Sequence, residues 1–257
     1  MAESSPFGIE QFTKLITDGY DRKARLYPGL LLLMPIAVVI SCGLGPNLTP
    51  AKTVCGVVAS CGGLLLLSQL ARDSGKRKER DMFQKWGGMP SISIFRHRDG
   101  TVDAITKARY HQRMATLVKG TKAPSSEEEL ADPDAADQVY AAWSTYIRVN
   151  TRDTKKYPLL FQENISYGYR RNVWGLRPVG ITTTGLSAVC ALIWEYLVFK
   201  STGKVSSELA FAGIFASILL LLWIFQFTAG WVRLPANAYA ERLVEAVDTL
   251  TAKREKK

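Results

Sequence analysis

Apolar and charged positions in this chain fall into long separate blocks. Four stretches are almost wholly apolar: about Pro28 to Leu44, Thr53 to Leu70, Ile181 to Phe199, and Leu209 to Val232. A helix needs about 20 such residues, within a range of about 17–25, to cross the hydrocarbon core of a bilayer. The third stretch contains no Lys, Arg or Asp and a single Glu, and the fourth centres on SILLLLWIF. The stretches come in two pairs, separated by GPNLTPAK and by KSTGKVSSE. Backbone groups in lipid must be satisfied internally, so short polar turns between helices are expected.

The pattern therefore predicts an all-α integral membrane protein with four transmembrane helices. They form two hairpins, 28–70 and 180–232, flanking a mainly helical cytosolic domain at 71–179. Residues 1–27 are read as an N-terminal amphipathic cytosolic helix, with Phe7, Phe12, Leu15, Ile16 and Tyr20 at roughly helical spacing. Residues 233–257 are read as a basic C-terminal helix. In it Tyr239, Leu243, Val247 and Leu250 align, and the closing lysines and arginine suit anionic lipid headgroups.

Within the middle segment, the second span is expected to continue as a basic helix to about Lys85. Trp86-Gly87-Gly88-Met89-Pro90 then breaks it. Ser91 to Phe95 reads as a short strand. Thr101 to Val118 reads as a helix offering Ile105, Ala108, Tyr110, Met114 and Leu117 to a core. An acidic helix begins at Ser126 and stops at Asp132-Pro133. The next, about Asp134 to Thr151, has Val139, Trp143, Tyr146 and Ile147 on one face. Another helix after Pro158 leads through Gly175-Leu176-Arg177-Pro178 into the third span.

Charge sets the orientation. The chain has 33 Lys and Arg against 23 Asp and Glu, a net charge of +10, in 257 residues. Only Lys52, Lys200 and Lys204 lie in the hairpin turns, and the other 30 basic residues lie on the opposite side. The positive-inside rule then places both termini and the middle segment in the cytosol, as in a multi-pass protein of a cell inner membrane. Arg72, Lys76, Arg77, Lys78 and Arg80 follow the second span, and Arg170, Arg171 and Arg177 precede the third, as membrane-surface basic residues. Tyr167, Tyr169, Arg170, Arg171 and Trp174 interleave aromatics with arginines as strand-binding surfaces do. A basic and aromatic belt beside a bilayer accounts for the same pattern, so the lipid bilayer and not nucleic acid is the expected partner. No cleavable signal peptide is evident, and the sequon Asn47-Leu48-Thr49 sits too close to the membrane for glycosylation.

The composition excludes a disordered chain and a disulfide-rich secreted domain. Cys42, Cys55, Cys61 and Cys190 all fall in spans, with no CxxC pair, so they read as small packing residues; no metal or cofactor is expected. Gly56, Ser60 and Cys61-Gly62-Gly63 set small residues along the second span, which suits close helix contact. His97-Arg98-Asp99 matches a kinase catalytic-loop triplet without its companion motifs. Neither GxSxG nor a Walker sequence is present, so no catalytic residues are assigned and enzymatic activity is not expected. Arg96, His97 and Arg98, with His111 and Arg113 further on, form a possible anion or ligand contact, because arginine and histidine grip phosphate. A solvated, internally paired turn is the alternative. Glu195 and Gln226 lie inside spans, where polar groups line a pore or bond between helices.

Two hairpins bracketing a cytosolic domain suggest a sensor coupled to a membrane effector. In layout the chain resembles the four-transmembrane-helix membrane effectors of bacterial antiviral defence systems, in which a cytosolic trigger causes membrane disruption. That resemblance implies a homo-oligomer acting as an ion channel or membrane perturbant, triggered by a cytosolic protein partner or a small-molecule signal. The competing expectation is a non-catalytic anchor or scaffold that recruits a cytosolic partner.

Overall fold

The computed structural model describes residues 18–44, 52, 56 and 63–251. Every regular element among them is helical. They are α1 (Tyr27–Leu44, preceded by a π-helical segment Asp21–Leu26), α2 (Gly63–Lys85), α3 (Pro90–Ser93), α4 (Ala104–Leu117) and α5 (Ser126–Ala131). There follow α6 (Pro133–Asn150), α7 (Pro158–Thr202), α8 (Ser207–Leu221, extended by a π-helical segment Leu222–Gln226) and α9 (Ala229–Glu245, ending in a 3-10 turn Ala246–Thr249). The expected N-terminal helix up to Ile16, the sequon at Asn47, Cys55, Cys61 and the closing basic residues from Lys253 lie outside the described residues. So does most of the second predicted span, which enters description as α2 at Gly63.

The chain divides into two compact units, Met1–Glu79 with Gly168–Val232, and Arg80–Tyr167 with Arg233–Lys257. In the first, three helical stretches are long and apolar enough to cross a membrane: Asp21–Leu44, Ser207–Gln226 and part of the 45-residue Pro158–Thr202. At 1.5 Å per residue α7 is about 68 Å long, roughly twice a bilayer core, so only part of it is a span. From Pro178 to Phe199 its one charged residue is Glu195. Large apolar side chains on this stretch and on α8 face outward, among them Leu186, Leu192, Tyr196, Phe211, Ile214 and Phe225. An outward apolar surface of this kind marks a membrane or protein interaction face.

Inside this unit, helices meet on glycine. A Cβ built at Gly175 would lie 2.4 Å from the backbone nitrogen of Gly75, and one at Gly180 2.4 Å from the Trp223 ring. One at Gly43 would lie 2.2 Å from Trp194, and one at Gly29 3.0 Å from Leu67 Cβ. These contacts bring α7 onto α2 and α8, α1 onto α7, and α1 onto α2. α8 packs extensively on α1 as well. Without a hydrophobic driving force in lipid, close backbone approach of this kind is what gains dispersion energy.

The second unit has a core of its own. Trp143, Tyr140, Phe95, Met114, Ile147, Leu243 and Val247 are fully enclosed. Local signals set its helix ends. Asp103 accepts the Thr106 N–H at the start of α4. Ser125 and Glu128 form a reciprocal capping box on α5. Asp132 caps α6, where Pro133 stands at the first helical position and gives up no needed N–H.

Several expectations are corrected here. Ser91–Phe95 is not a strand: Pro90 opens the short helix α3, and the Ser93 hydroxyl donates to the Met89 carbonyl. Ile94 and Phe95 are both buried although adjacent, which an alternating strand does not allow. On α4 Tyr110, Met114 and Leu117 meet the core as expected, but Ile105 and Ala108 are exposed. Ile105 is 84% exposed, while Lys107, Tyr110, His111 and Met114 face the core. Lys107 takes the inward position because its ammonium finds carbonyl partners there. On α6 Ser144 is buried, held by the Ser91 hydroxyl at 3.0 Å. The C-terminal helix begins four residues before 233, at Ala229, and its apolar residues Leu243, Val247 and Leu250 pack into the second unit's core, so that face is not free for lipid.

Candidate functional site

The turn between α2 and α3 organises the polar side of the second unit. Gly87 (φ +79°) and Gly88 (φ +136°) take backbone conformations that L side chains rarely adopt. A Cβ on Gly88 would stand 2.7 Å from Arg96 Nη2, so the turn closes directly around that guanidinium. Arg96 donates from Nε and Nη2 to the Asp137 carboxylate at 2.8 and 2.5 Å, and from Nη1 to the Gly87 carbonyl at 2.7 Å. The hydrogen bonds to Asp137 hold its pKa above the ordinary arginine value. Lys107 donates to the carbonyls of Arg96 at 2.6 Å and of Asp99. Burial lowers its pKa, and Asp99 and Glu129 act against that.

Behind this turn lies a buried polar cluster. Glu129 accepts from the Tyr140 hydroxyl at 2.8 Å and from the His97 backbone N–H at 2.9 Å. Burial, with the bond to Glu129, pushes the Tyr140 phenol well up. His111 Nε2 is 2.7 Å from the Phe95 carbonyl, and burial holds its imidazole below the ordinary histidine value. The His97 ring stands edge-on to it, 4.9 Å away, with Nε2 2.9 Å from the Pro124 carbonyl. Arg113 reaches instead to the carbonyls of Val247, Asp248 and Leu250. Of the five residues expected to contact an anion, Arg96, His97, His111 and Arg113 are therefore engaged with protein groups. Arg98 is exposed and has no hydrogen-bond or ionic partner among the described residues.

Arg98 opens onto a cleft of about 360 Å³. Trp86, Arg96, Asp99, Arg233 and Asn237 also line it. Arg233, like Arg98, is exposed and unpaired among the described residues. Comparison with protein-family models, curated proteins and solved structures gives no match. The chemistry of the cleft must be read from its own residues. It presents three guanidinium groups against one carboxylate, an aromatic wall at Trp86 and an amide at Asn237. Among the described residues, no group of three His, Cys, Asp or Glu side chains could hold a metal ion.

The basic residues expected at the membrane surface separate into two kinds. Arg72, Lys76, Arg77 and Arg80 are exposed on one side of α2, whose other side buries Ala71, Gly75 and Met82. Lys78 lies over the Trp174 ring at 5.1 Å. Arg170 donates to the Trp231 carbonyl and lies over that ring. Arg171 is buried: it pairs with Glu79 at 3.0 Å and donates to Asn172 Oδ1, whose Nδ2 donates to the Ala24 carbonyl at 2.6 Å. Arg177 donates to the Trp223 and Ile224 carbonyls at 3.0 and 2.6 Å, within the π-helical segment where regular bonding is disturbed. Arg171 is thus an interior residue and not a surface one.

Glu195 accepts the backbone N–H of Ser206 at 2.9 Å, at the start of α8. Its second oxygen is buried without a partner among the described residues. Gln226 is exposed at the end of the second π-helical segment. Sequence reasoning missed Asp137, Glu129, Lys107, Asn172, Arg233 and Asn237. Asp137 and Glu129 had no visible signal, because their partners come from 41 and 11 residues away. Arg233 was visible only as one more basic residue.

Proposed function

We propose that this chain is a non-catalytic membrane effector. A cytosolic helical domain senses a signal or partner and acts through an apolar helical bundle in a cell inner membrane, with both termini in the cytosol and the protein working as an oligomer. What carries this reading is the division of one chain into a unit with an outward apolar surface and a unit with its own closed core and a polar cleft. The first kind of surface calls for lipid, and the second for an aqueous ligand or partner. The four-span, two-hairpin layout belongs to the same proposal, as does the likeness to antiviral membrane effectors. Glu195 is a helix-start ligand for Ser206 and a candidate pore group through its second oxygen.

The test combines topology with flux. An epitope inserted at Lys122 should be protected in intact spheroplasts, and one at Gly203 should be accessible. Purified protein reconstituted into dye-loaded vesicles should release dye once its trigger is bound, and Glu195→Gln should change that release. An accessible tag at Lys122 removes the cytosolic sensor. A correctly oriented protein that never permeabilises vesicles but holds a cytosolic partner in pull-downs replaces the effector with a scaffold.

A further inference from the structure

We infer that the cleft of the second unit is a binding site for a phosphate group, gripped chiefly by Arg98 and Arg233. The inference rests on the sensing reading for its consequence, not for its geometry. The cleft is about 360 Å³, within the usual range for small-ligand sites. Its basic residues do not form a random surface patch. Arg96 is fixed by the Asp137 fork and by the Gly87 carbonyl, in a turn that needs two glycines with positive φ to close on it. Three of its five N–H groups are used in this way. Asp137 neutralises it, so Arg96 serves as a fixed wall with two N–H groups to spare.

Arg98, two residues on, and Arg233, from the start of the C-terminal segment, line the same cavity without any partner among the described residues. Two unpaired guanidinium groups on one small cavity repel each other, and an anion between them removes that repulsion. Guanidinium matches phosphate oxygens with two parallel N–H donors. Asp99 is the one lining carboxylate, and it is turned to local use, accepting the Thr101 N–H at 2.9 Å. Trp86 gives an apolar face for the group that bears the phosphate, and Asn237 adds an amide donor and acceptor. The ligand class is therefore a phosphate ester, either soluble or part of a lipid headgroup.

The experiment uses the full chain in nanodiscs. In phosphatidylcholine discs, inorganic pyrophosphate is titrated by calorimetry. In discs containing phosphatidylglycerol, the number of anionic lipids retained per chain is counted by native mass spectrometry. A soluble ligand predicts saturable pyrophosphate binding at one site per chain, weakened about tenfold or more by Arg98→Gln and by Arg233→Gln. A lipid headgroup predicts one tightly retained phosphatidylglycerol, released by pyrophosphate and lost in the same variants. Arg80→Gln, an exposed residue outside the cleft, should change neither. Both arginines are exposed, so thermal midpoints should stay at the wild-type value and separate lost binding from lost fold. The inference fails if the double variant R98Q/R233Q matches wild type in both arms. Binding that never alters vesicle permeability leaves the site standing and removes the effector reading.

Discussion

Gly175 is the sharpest point at which to challenge the packing of the first unit. A Cβ there would lie 2.4 Å from Gly75 N, 2.6 Å from Ser74 C and 2.7 Å from Gly75 Cα. All three are backbone atoms, so no side chain can swing aside. Relief needs α2 and α7 to separate by about 1 Å at the crossing, judged against an ordinary carbon contact near 3.5 Å or more. Overpacking of this sort costs about 1–3 kcal/mol. The cost spreads, because buried Asn172 and Arg171 bond from the same stretch of α7 to Ala24 and Glu79. Against it stands a gain of about 0.5–1 kcal/mol from replacing a helical glycine. Gly175→Ala should therefore be net destabilising, by up to about 2.5 kcal/mol. Gly185→Ala supplies the internal control: it lies on the same helix with nothing within 4 Å of the added carbon, so it should be neutral or slightly stabilising. The assay is the thermal midpoint in one detergent at one scan rate, since unfolding of such proteins is often irreversible. Gly75→Ala together with Gly175→Ala should cost less than the sum of the two, as both open the same crossing. Equal midpoints for Gly175→Ala and Gly185→Ala would refute the close crossing.

Tyr140→Phe removes a hydroxyl that donates to the buried Glu129 carboxylate at 2.8 Å and should destabilise the second unit by about 1.5–3 kcal/mol, read as a fall in denaturation midpoint. His111 is held below its ordinary pKa by burial, so above about pH 7 folded and unfolded chains carry the same proton there, and as pH falls through about 6.5 the unfolded chain alone gains one. Stability should thus be level at higher pH and decline on acidification through that value; His111→Gln should flatten the decline between pH 7.5 and 5.5, and an unchanged slope would count against the assignment. Arg177→Lys keeps the charge but loses the two-pronged reach to the Trp223 and Ile224 carbonyls; it should lower the midpoint while leaving topology as it was. A reversed topology in that variant would mean that the guanidinium geometry, and not the charge, sets orientation.

The helix ends of the second unit were open to sequence reading because they rest on local chemistry. Asp132-Pro133 stops one helix and starts the next. The inward place of Lys107 on α4 was not, because it depends on carbonyls that lie on the turn at Arg96 and Asp99. A short apolar run such as Ser91–Phe95 fits strand or helix equally by pattern, and only the proline at its start favours the helix. The apolar stretches at Asp21–Leu44, Pro158–Thr202 and Ser207–Gln226 were plain from composition. The glycine crossings were not, since a glycine's partner lies about 100 residues away for Gly75 and Gly175. As for the site, Phe95–Asp99 is dense in charge, and Arg98 has no hydrogen-bond or ionic partner among the described residues. Arg233 and Asn237 reach the same cleft only because α9 folds into the second unit's core.

That contrast separates what a count of basic residues bears on from what it does not. Orientation depends on where charge lies along the chain during insertion, whatever each side chain later touches. Function depends on which charges remain without a protein partner once folding is complete. Arg170, Arg171 and Arg177 sit in one basic cluster by sequence, yet their guanidinium groups go to Trp231, Glu79 and the α8 end respectively. A buried arginine left unpaired would carry a large desolvation cost, so these positions are filled by protein acceptors. Arg98 and Arg233 are exposed and unpaired among the described residues, and both line one cavity. A ligand that is to be sensed must compete with water and not with a built-in carboxylate. On the proposed reading, the two arginines that share a cavity are where a signal would enter this molecule.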